Sequence, residues 1–519
     1  MRCPLGLQDF RGLREAGLAY VDKTAHVAAA MDVSKYLFLA RPRRFGKSLL
    51  VSTLNELYSG DRELFAGLWA YDHWDFASKA TPVIWVQFAS MPFEEFGAAA
   101  AAMEAVRVNA RRLGVGLPET TSVKVAFGAL IRGAAAKSPY GKTVVLVDEY
   151  DKPITHALER DTDGTEATPR NPAAEEQRDA LKPFYGVLKD ADPFLELVFI
   201  TGVSAFLKVS LFSELNNVVN LSLDPVAETL CGITERELLS DFGEALHETG
   251  VPIEEVRSYY NGYAFGPNAE RVYNPWSVWS FLQSGRLAEQ WYATGTPSWL
   301  VRLMAHRGVA DVAGERRNRR SLLRFDLRLR DIPSVLYQTG YLTLATFDPE
   351  TDLYTLDFPN LQVRAAFDAA LLDAYTEDGY DEPQVRLTNL RRALQHGDLA
   401  AVMALIDAAL ADVPYPLWER HGERTYHLIT HVLFRALGAY VTSEVSRARG
   451  RADAIVETAE RVYCFEFKVD AGATSALQQI RERGYLDGHR ASGKTLVAVG
   501  VSFDRGRRMV GTWEEAVVA

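Results

Sequence analysis

The sequence predicts an α/β protein built from several domains. Three observations carry that prediction. The chain has 519 residues, about three domains' worth at ordinary domain size. Its first half alternates short, unbroken apolar runs with helical patterns, which a parallel sheet covered on both faces requires. Its last hundred or so residues open with a helix and then return to strand-type runs.

The strand runs come in order. Tyr36–Ala40 is the first, followed by Arg and Gly residues and an amphipathic stretch from Ser48 to Tyr58. Pro82–Phe88, Thr143–Val147 and Leu195–Thr201 are the next three. Between them Arg160–Arg178, rich in Thr, Pro and Asp, predicts an exposed loop. From Asp224 to Leu300 the pattern is helical and aromatic, with turn signals at Asn261-Gly262 and Asn274-Pro275. Trp276, Trp279, Trp291 and Trp299 in this segment read as core packing rather than base-stacking platforms.

An arginine-dense run spans Arg316–Arg330, then a helix end and a hairpin follow over Leu336–Pro359. Residues 361–412 look helical. After a helix from Trp418, strands are expected at Gly438–Ser446, Ala452–Glu457, Arg461–Val469 and Thr495–Ser502. The resulting division is 1–224, 225–300, 301–412 and 413–519. These are a phosphate-loop sheet domain, a helical lid-like region, a connector of winged-helix-like character, and a terminal α/β domain.

Composition narrows the function classes. Apolar residues at 48 % and charged residues at 24 % exclude a disordered tail or a collagen-like repeat. With 57 basic and 68 acidic residues the net charge is −11, so any nucleic-acid surface must be a local basic patch on an acidic body. The Arg316–Arg330 run is one such candidate; a solvated helix face paired with acids is the alternative. Cys3, Cys231 and Cys464 are odd in number and match no metal spacing, which points to a reducing compartment. Neither a secretory leader nor a membrane span is visible, so a cytoplasmic protein without membrane association is expected. His427 and His431 stand four apart without the glutamate of a zinc motif, and a structural role is expected for them.

Arg41-Pro42-Arg43-Arg44-Phe45-Gly46-Lys47-Ser48 lies directly between a strand and a helix. Gly46 lets the backbone approach an anion, and the helix start offers unpaired N–H groups. Lys47 can reach phosphates and Ser48 can ligate Mg²⁺. Position 41, where a glycine is usual, is arginine. The arginines at 41, 43 and 44 either follow a different backbone path or supply charge to the phosphates.

A second apolar strand ends in Asp148-Glu149, at the sheet edge where ligands bind. Asp148 would hold Mg²⁺ and Glu149 would polarise the attacking water. Thr201 or Ser204, after the next strand, could sense the terminal phosphate, although strand-end capping explains them equally well.

Near the end stand Asp453, in Gly450-Arg451-Ala452-Asp453, and Glu466-Phe467-Lys468. Strand alternation puts Glu466 and Lys468 on one face. Hairpin pairing can bring Asp453 beside Glu466, making a hard-oxygen Mg²⁺ site with a lysine to orient water or neutralise charge. That set suits phosphodiester hydrolysis, whereas a bare Glu-x-Lys is common on surface strands. Glu423, on the preceding helix, and Gln479, on the following one, could join.

On these motifs the chain resembles the bacterial and archaeal family that joins an AAA-ATPase-like domain to a PD-(D/E)XK nuclease domain. Further stations are Tyr20-Val21-Asp22-Lys23-Thr24, Tyr150-Asp151-Lys152-Pro153-Ile154, Thr201-Gly202-Val203-Ser204, Tyr273-Asn274-Pro275 and Gly340-Tyr341-Leu342-Thr343. An arginine-rich phosphate loop is itself typical of that family. The resemblance implies a P-loop ATPase domain and a restriction-endonuclease-like C-terminal domain. It implies ATP and Mg²⁺ as cofactors, held through Arg43, Arg44, Phe45, Gly46, Lys47, Ser48, Asp148 and Thr201, with Glu149 catalytic. It implies a nuclease core of Asp453, Glu466 and Lys468, with Glu423 and Gln479 as less securely matched members. Nucleic acid is the expected partner, DNA ahead of RNA, and a homo-oligomer is one expected assembly. The competing expectation is a nucleotide-controlled binding or signalling switch whose nuclease-like domain grips nucleic acid or protein without cutting. Defence against foreign DNA is a further expected setting for the same chemistry.

Overall fold

Strand β1 (Tyr36–Ala40) is buried along its whole length because none of its side chains is charged and both sheet faces are covered. It belongs to a five-stranded sheet with β2 (Val83–Gln87), β3 (Thr143–Asp148), β4 (Leu195–Gly202) and the two-residue β5 (Val219–Asn220). The order is β2-β3-β4-β1-β5 and every pairing is parallel. The computed structural model describes residues 4–160, 171–205, 217–288, 298–324, 331–376, 383–437, 441–447 and 450–518. The chain forms two compact units, residues 1–290 with 312–360, and residues 291–311 with 361–519.

In the first unit, helices cover the sheet. The loop expected over Arg160–Arg178 is corrected from Pro172 onward: Pro172–Asp190 is a helix. Asn171 caps it, accepting from Ala174 N at 2.8 Å, and Pro172 suits the first turn, where no N–H is needed. The cap signal Asn-Pro thus outweighed the polar composition. Positions 161–170 lie outside the described residues. The helical middle region gains a short antiparallel pair, β6 (Ile233–Thr234) and β7 (Val272–Tyr273). A reciprocal cap between Thr234 and Glu237 starts the helix Glu235–Glu248. Asn274, read as a turn residue, caps the helix Pro275–Ser284, and Trp279 packs in the core as expected.

The arginine-dense run does not begin as a helix face. Arg316–Asn318 is strand β8, which pairs with β10 (Leu353–Asp357), itself in a hairpin with β9 (Thr343–Asp348). Arg316 pairs with Asp348 at 2.8 Å and Arg317 with Asp331 at 2.8 Å, so these two charges are met by acids. Arg328 and Arg330 lie outside the described residues. The helix Ile332–Thr339 precedes the hairpin, as the sequence pattern suggested.

The second unit gathers helices from 361 onward around one mixed sheet. Its strands are β11 (Val441–Arg447), β12 (Gly450–Glu457), β13 (Arg461–Val469), β14 (Thr495–Asp504) and β15 (Met509–Val518), adjacent in that order. Only β13 and β14 run parallel, and the helix Ala473–Arg483 makes their crossover. β15 was not foreseen. It is an edge strand whose side chains are mostly exposed, and Glu514-Glu515 interrupts its alternation.

Candidate active sites

The phosphate loop runs from β1 into the helix Lys47–Ser59, with Gly46 at φ 85°. A left-handed residue is needed at this bend, and glycine adopts it without strain. Lys47 is buried and donates from Nζ to the Pro42 carbonyl at 2.9 Å. Burial pulls its pKa down, while Asp148, Glu149 and Asp151 push it up. Ser48 hydrogen-bonds the Asp148 carboxylate, so the loop hydroxyl meets the carboxylate at the end of β3. Burial raises the Asp148 carboxyl to about 6 against the opposing Ser48 bond. Glu149 is held at φ 51°, a conformation that side-chain-bearing residues seldom adopt, and its N–H donates to Asp148 Oδ1 at 3.0 Å. Lys47, Ser48, Asp148 and Glu149 are therefore brought together.

The Arg41 side chain is committed to backbone carbonyls. It is 1 % exposed and donates to the carbonyls of Ala40 and Ser222, each at 2.9 Å, and of Ala227 at 2.6 Å. Its guanidinium carbon lies 4.0 Å from the centre of the Phe265 ring. The residue that replaces the usual glycine thus ties the loop to the segment after β5.

Phe45, expected at the nucleotide, is buried edge-on against Tyr263 and Phe265 and also lines the apolar pocket beside Gly46. Thr201, expected to sense phosphate, is fully buried and donates to the Leu39 carbonyl at 2.8 Å. The Thr201 hydroxyl is spent on the scaffold, because satisfaction of a buried backbone carbonyl claims it first. Arg44 lies over the Trp276 ring at 4.3 Å, and the Arg43 carbonyl faces Asn274 Nδ2 at 3.5 Å.

Sequence reasoning assigned no role to Asp151. It is buried and accepts from the N–H groups of Val203, at 3.1 Å, and Ser204, at 2.7 Å. Tyr150 adds a bond from its hydroxyl to the Ser204 carbonyl at 2.7 Å. Ala205 N then donates to Gln338 Oε1 at 2.8 Å, so the ends of β3 and β4 are joined to the helix before the β9–β10 hairpin. The only signal was the Asp-Glu-Tyr-Asp spacing. An apolar pocket lined by Ala19, Val21, Leu49, Leu230, Ile233 and Trp279 opens beside Gly46.

The second centre is at the carboxyl end of β13. Asp453, on β12, accepts from Phe467 N at 2.8 Å, which fixes its carboxylate beside Glu466. Lys468 Nζ donates to Glu466 Oε1 at 3.3 Å and to Gln479 Oε1 at 2.6 Å. Gln479 Nε2 donates to the same Glu466 oxygen. Phe465 and Phe467 point into the core, as alternation requires.

Burial, reinforced by the nearby Asp453 charge, raises the Glu466 carboxyl to about 7. Its other oxygen, Oε2, is buried without a hydrogen-bond partner among the described residues. An orphaned carboxylate oxygen next to a second carboxylate fits a hard divalent cation.

Glu423 does not join this group. Its carboxylate pairs with Arg505, and no cluster of three acidic, His or Cys ligands exists among the described residues. The nearby arginine captured it.

A family model described as "Predicted AAA-ATPase" matches residues 4–212, and one for the PD-(D/E)XK nuclease superfamily matches residues 421–513. The chain is 35 % identical over 523 residues to an "Uncharacterized protein in vnfD 5'region" of Azotobacter chroococcum mcd 1, covering 98 % of both chains. The chain belongs to that family. The chain joins an AAA-ATPase-like domain to a PD-(D/E)XK nuclease domain, and the two matches fall on the two centres described above. No solved structure matches. In this AAA-ATPase-like nuclease-family protein, the parallel sheet and the mixed sheet carry one centre each.

Proposed function

We propose that this protein binds and hydrolyses ATP at the first centre and cleaves nucleic-acid phosphodiesters at the second, with DNA the favoured substrate. The observation that carries the reading is the joint placement of Asp453, Glu466, Lys468 and Gln479, with one Glu466 oxygen left unpartnered. A Mg²⁺ ion bound there would polarise a phosphate and activate water. Asp453 and Glu466 are the residues that would hold it. Lys468 would orient the attacking water and offset charge gathering on the phosphate. The new bond joins the water oxygen to phosphorus as one ester P–O bond breaks.

At the first centre Lys47 would leave the Pro42 carbonyl for the phosphates, while Ser48 and Asp148 would hold Mg²⁺. Glu149 would position the attacking water. The apolar pocket beside Gly46 suits a nucleoside base. The Asp151–Ser204 and Ala205–Gln338 bonds give a change at the phosphates a physical route to the β9–β10 hairpin. We place the protein in the cytoplasm; among the described residues no single helix is long and apolar enough to cross a membrane. Defence against foreign DNA and assembly into homo-oligomers remain part of this reading.

The test is incubation of the purified chain with DNA and RNA panels, with and without ATP and Mg²⁺, beside Asp453→Ala. Cutting that needs Mg²⁺ and Asp453 supports the proposal. Tight binding without any cutting would favour the switch reading.

A further inference from the structure

The β14–β15 hairpin turn lies at the end of the mixed sheet that carries the carboxylate centre. β13 and β14 run parallel with Lys468 opposite Ser502, so β14 ends at Asp504 only two residues beyond the lysine, about 7 Å along the strand. The turn to β15 then reads Arg505-Gly506-Arg507-Arg508. On the other side, β12 starts three residues before Asp453. The β14–β15 turn therefore sets three arginines at the end of the sheet where the carboxylates lie.

The three arginines of the β14–β15 turn have different fates. Arg505 is ion-paired with Glu423 and, at 3.0 Å, with Asp470, so it braces the turn. Arg507 is 78 % exposed and reaches Asp504 only at 3.9 Å. Arg508 has no carboxylate within ion-pair distance among the described residues. Its guanidinium carbon sits 5.0 Å from the ring centre of Tyr415 and 5.2 Å from that of Trp418. Trp418 is buried, but Tyr415 is 59 % exposed, an unusual position for a large ring with no apolar cover. Cationic groups beside an exposed ring, next to a hydrolytic centre, make the combination that holds an unpaired strand: charge follows the phosphates and the ring stacks a base.

We infer that the β14–β15 turn, through Arg507 and Arg508, and the ring of Tyr415 form a binding track for single-stranded nucleic acid leading to the Asp453–Glu466 centre. The inference rests on the nuclease reading and adds to it where the strand lies and that it is unpaired. Duplex binding alone would be an outcome against it.

The test uses the full chain carrying Asp453→Asn, with labelled single-stranded and duplex oligonucleotides of one sequence titrated across a salt series. Adding Arg507→Ala and Arg508→Ala should weaken single-strand binding at least tenfold at low salt and reduce the salt slope by about 1.4, two phosphate contacts at about 0.7 each. Tyr415→Ala should weaken it roughly tenfold, and Tyr415→Phe should restore it. Arg507→Glu alone, at an exposed site outside the core, should weaken binding even if the double substitution disturbs folding. Unchanged affinity and slope in Arg507→Glu and in a folded double variant overturn the track. Cleavage by the parent protein is scored separately. If the parent cuts in an Asp453-dependent way while the arginine variants bind as it does, only the track fails. If the parent neither binds nor cuts, both readings fail.

Discussion

Lys468 Nζ lies 2.6 Å from Gln479 Oε1, and the same glutamine amide donates back to the carboxylate that Lys468 touches. Gln479 is thus a positioning residue: one amide orients both the lysine and the glutamate. Gln479→Ala should lower the cleavage rate constant about 10- to 100-fold with little change in KM, as for partners that orient a metal-site ligand. Losing a donor to the charged carboxylate should also move the acid limb of the pH–rate profile upward. A mere loss of stability would lower the rate without moving that limb.

The pH dependence of Mg²⁺ binding follows from Glu466. Its carboxyl is raised to about 7, and a bound cation must displace that proton. Apparent Mg²⁺ affinity at the second centre should rise about tenfold per pH unit below 7 and level off above it. Folding stability of the metal-free protein has the opposite sign. The folded state holds the proton more tightly than the unfolded one, so this group's contribution falls as pH rises from about 4.5 to about 7. Glu466→Gln should remove both dependences, which calorimetry and thermal melts across that range would read.

Asp148 makes a parallel prediction at the first centre. With its carboxyl raised to about 6, Mg²⁺-nucleotide binding should strengthen as pH rises through that value. Asp148→Asn should flatten the profile. Lys47→Ala should weaken nucleotide binding at least tenfold, measured with a fluorescent analogue. If Lys47→Ala cut DNA just as the parent does, with and without ATP, coupling between the centres would be excluded.

Arg41→Gly would install the residue usual for a phosphate loop. It should nevertheless destabilise the first unit by about 3 kcal/mol, since buried carbonyls of Ala40, Ser222 and Ala227 would lose their donor. Arg41→Lys should rescue little, because one ammonium cannot reproduce the planar fork. A melting temperature equal to the parent's would refute this role.

Gly500→Ala tests how the helix Ala473–Arg483 is seated. A methyl group there would lie 2.3 Å from the Ala473 carbonyl oxygen and 2.9 Å from Leu477 N, both backbone atoms. The helix must shift, and Gln479 with it. We expect a loss of about 2–3 kcal/mol, typical of overpacking, and a fall in cleavage rate. Unaltered melting and activity would show that the helix tolerates the displacement.

The sequence by itself determined the strands and the motif residues at their ends. Uninterrupted apolar runs ended in the phosphate loop and in Asp148-Glu149, and period-two alternation put Glu466 and Lys468 on one face, because these signals are local. Edge strand β15, mostly exposed and broken by Glu514-Glu515, left no such signal. Tertiary structure alone decided which side chains were free to act. Arg41 met two carbonyls from a segment some 180 residues on, Phe45 met two rings, Thr201 met the neighbouring strand, and Glu423 met Arg505. A side chain's partner is chosen by burial and by the nearest opposite charge in space, and neither is written in residue spacing along the chain.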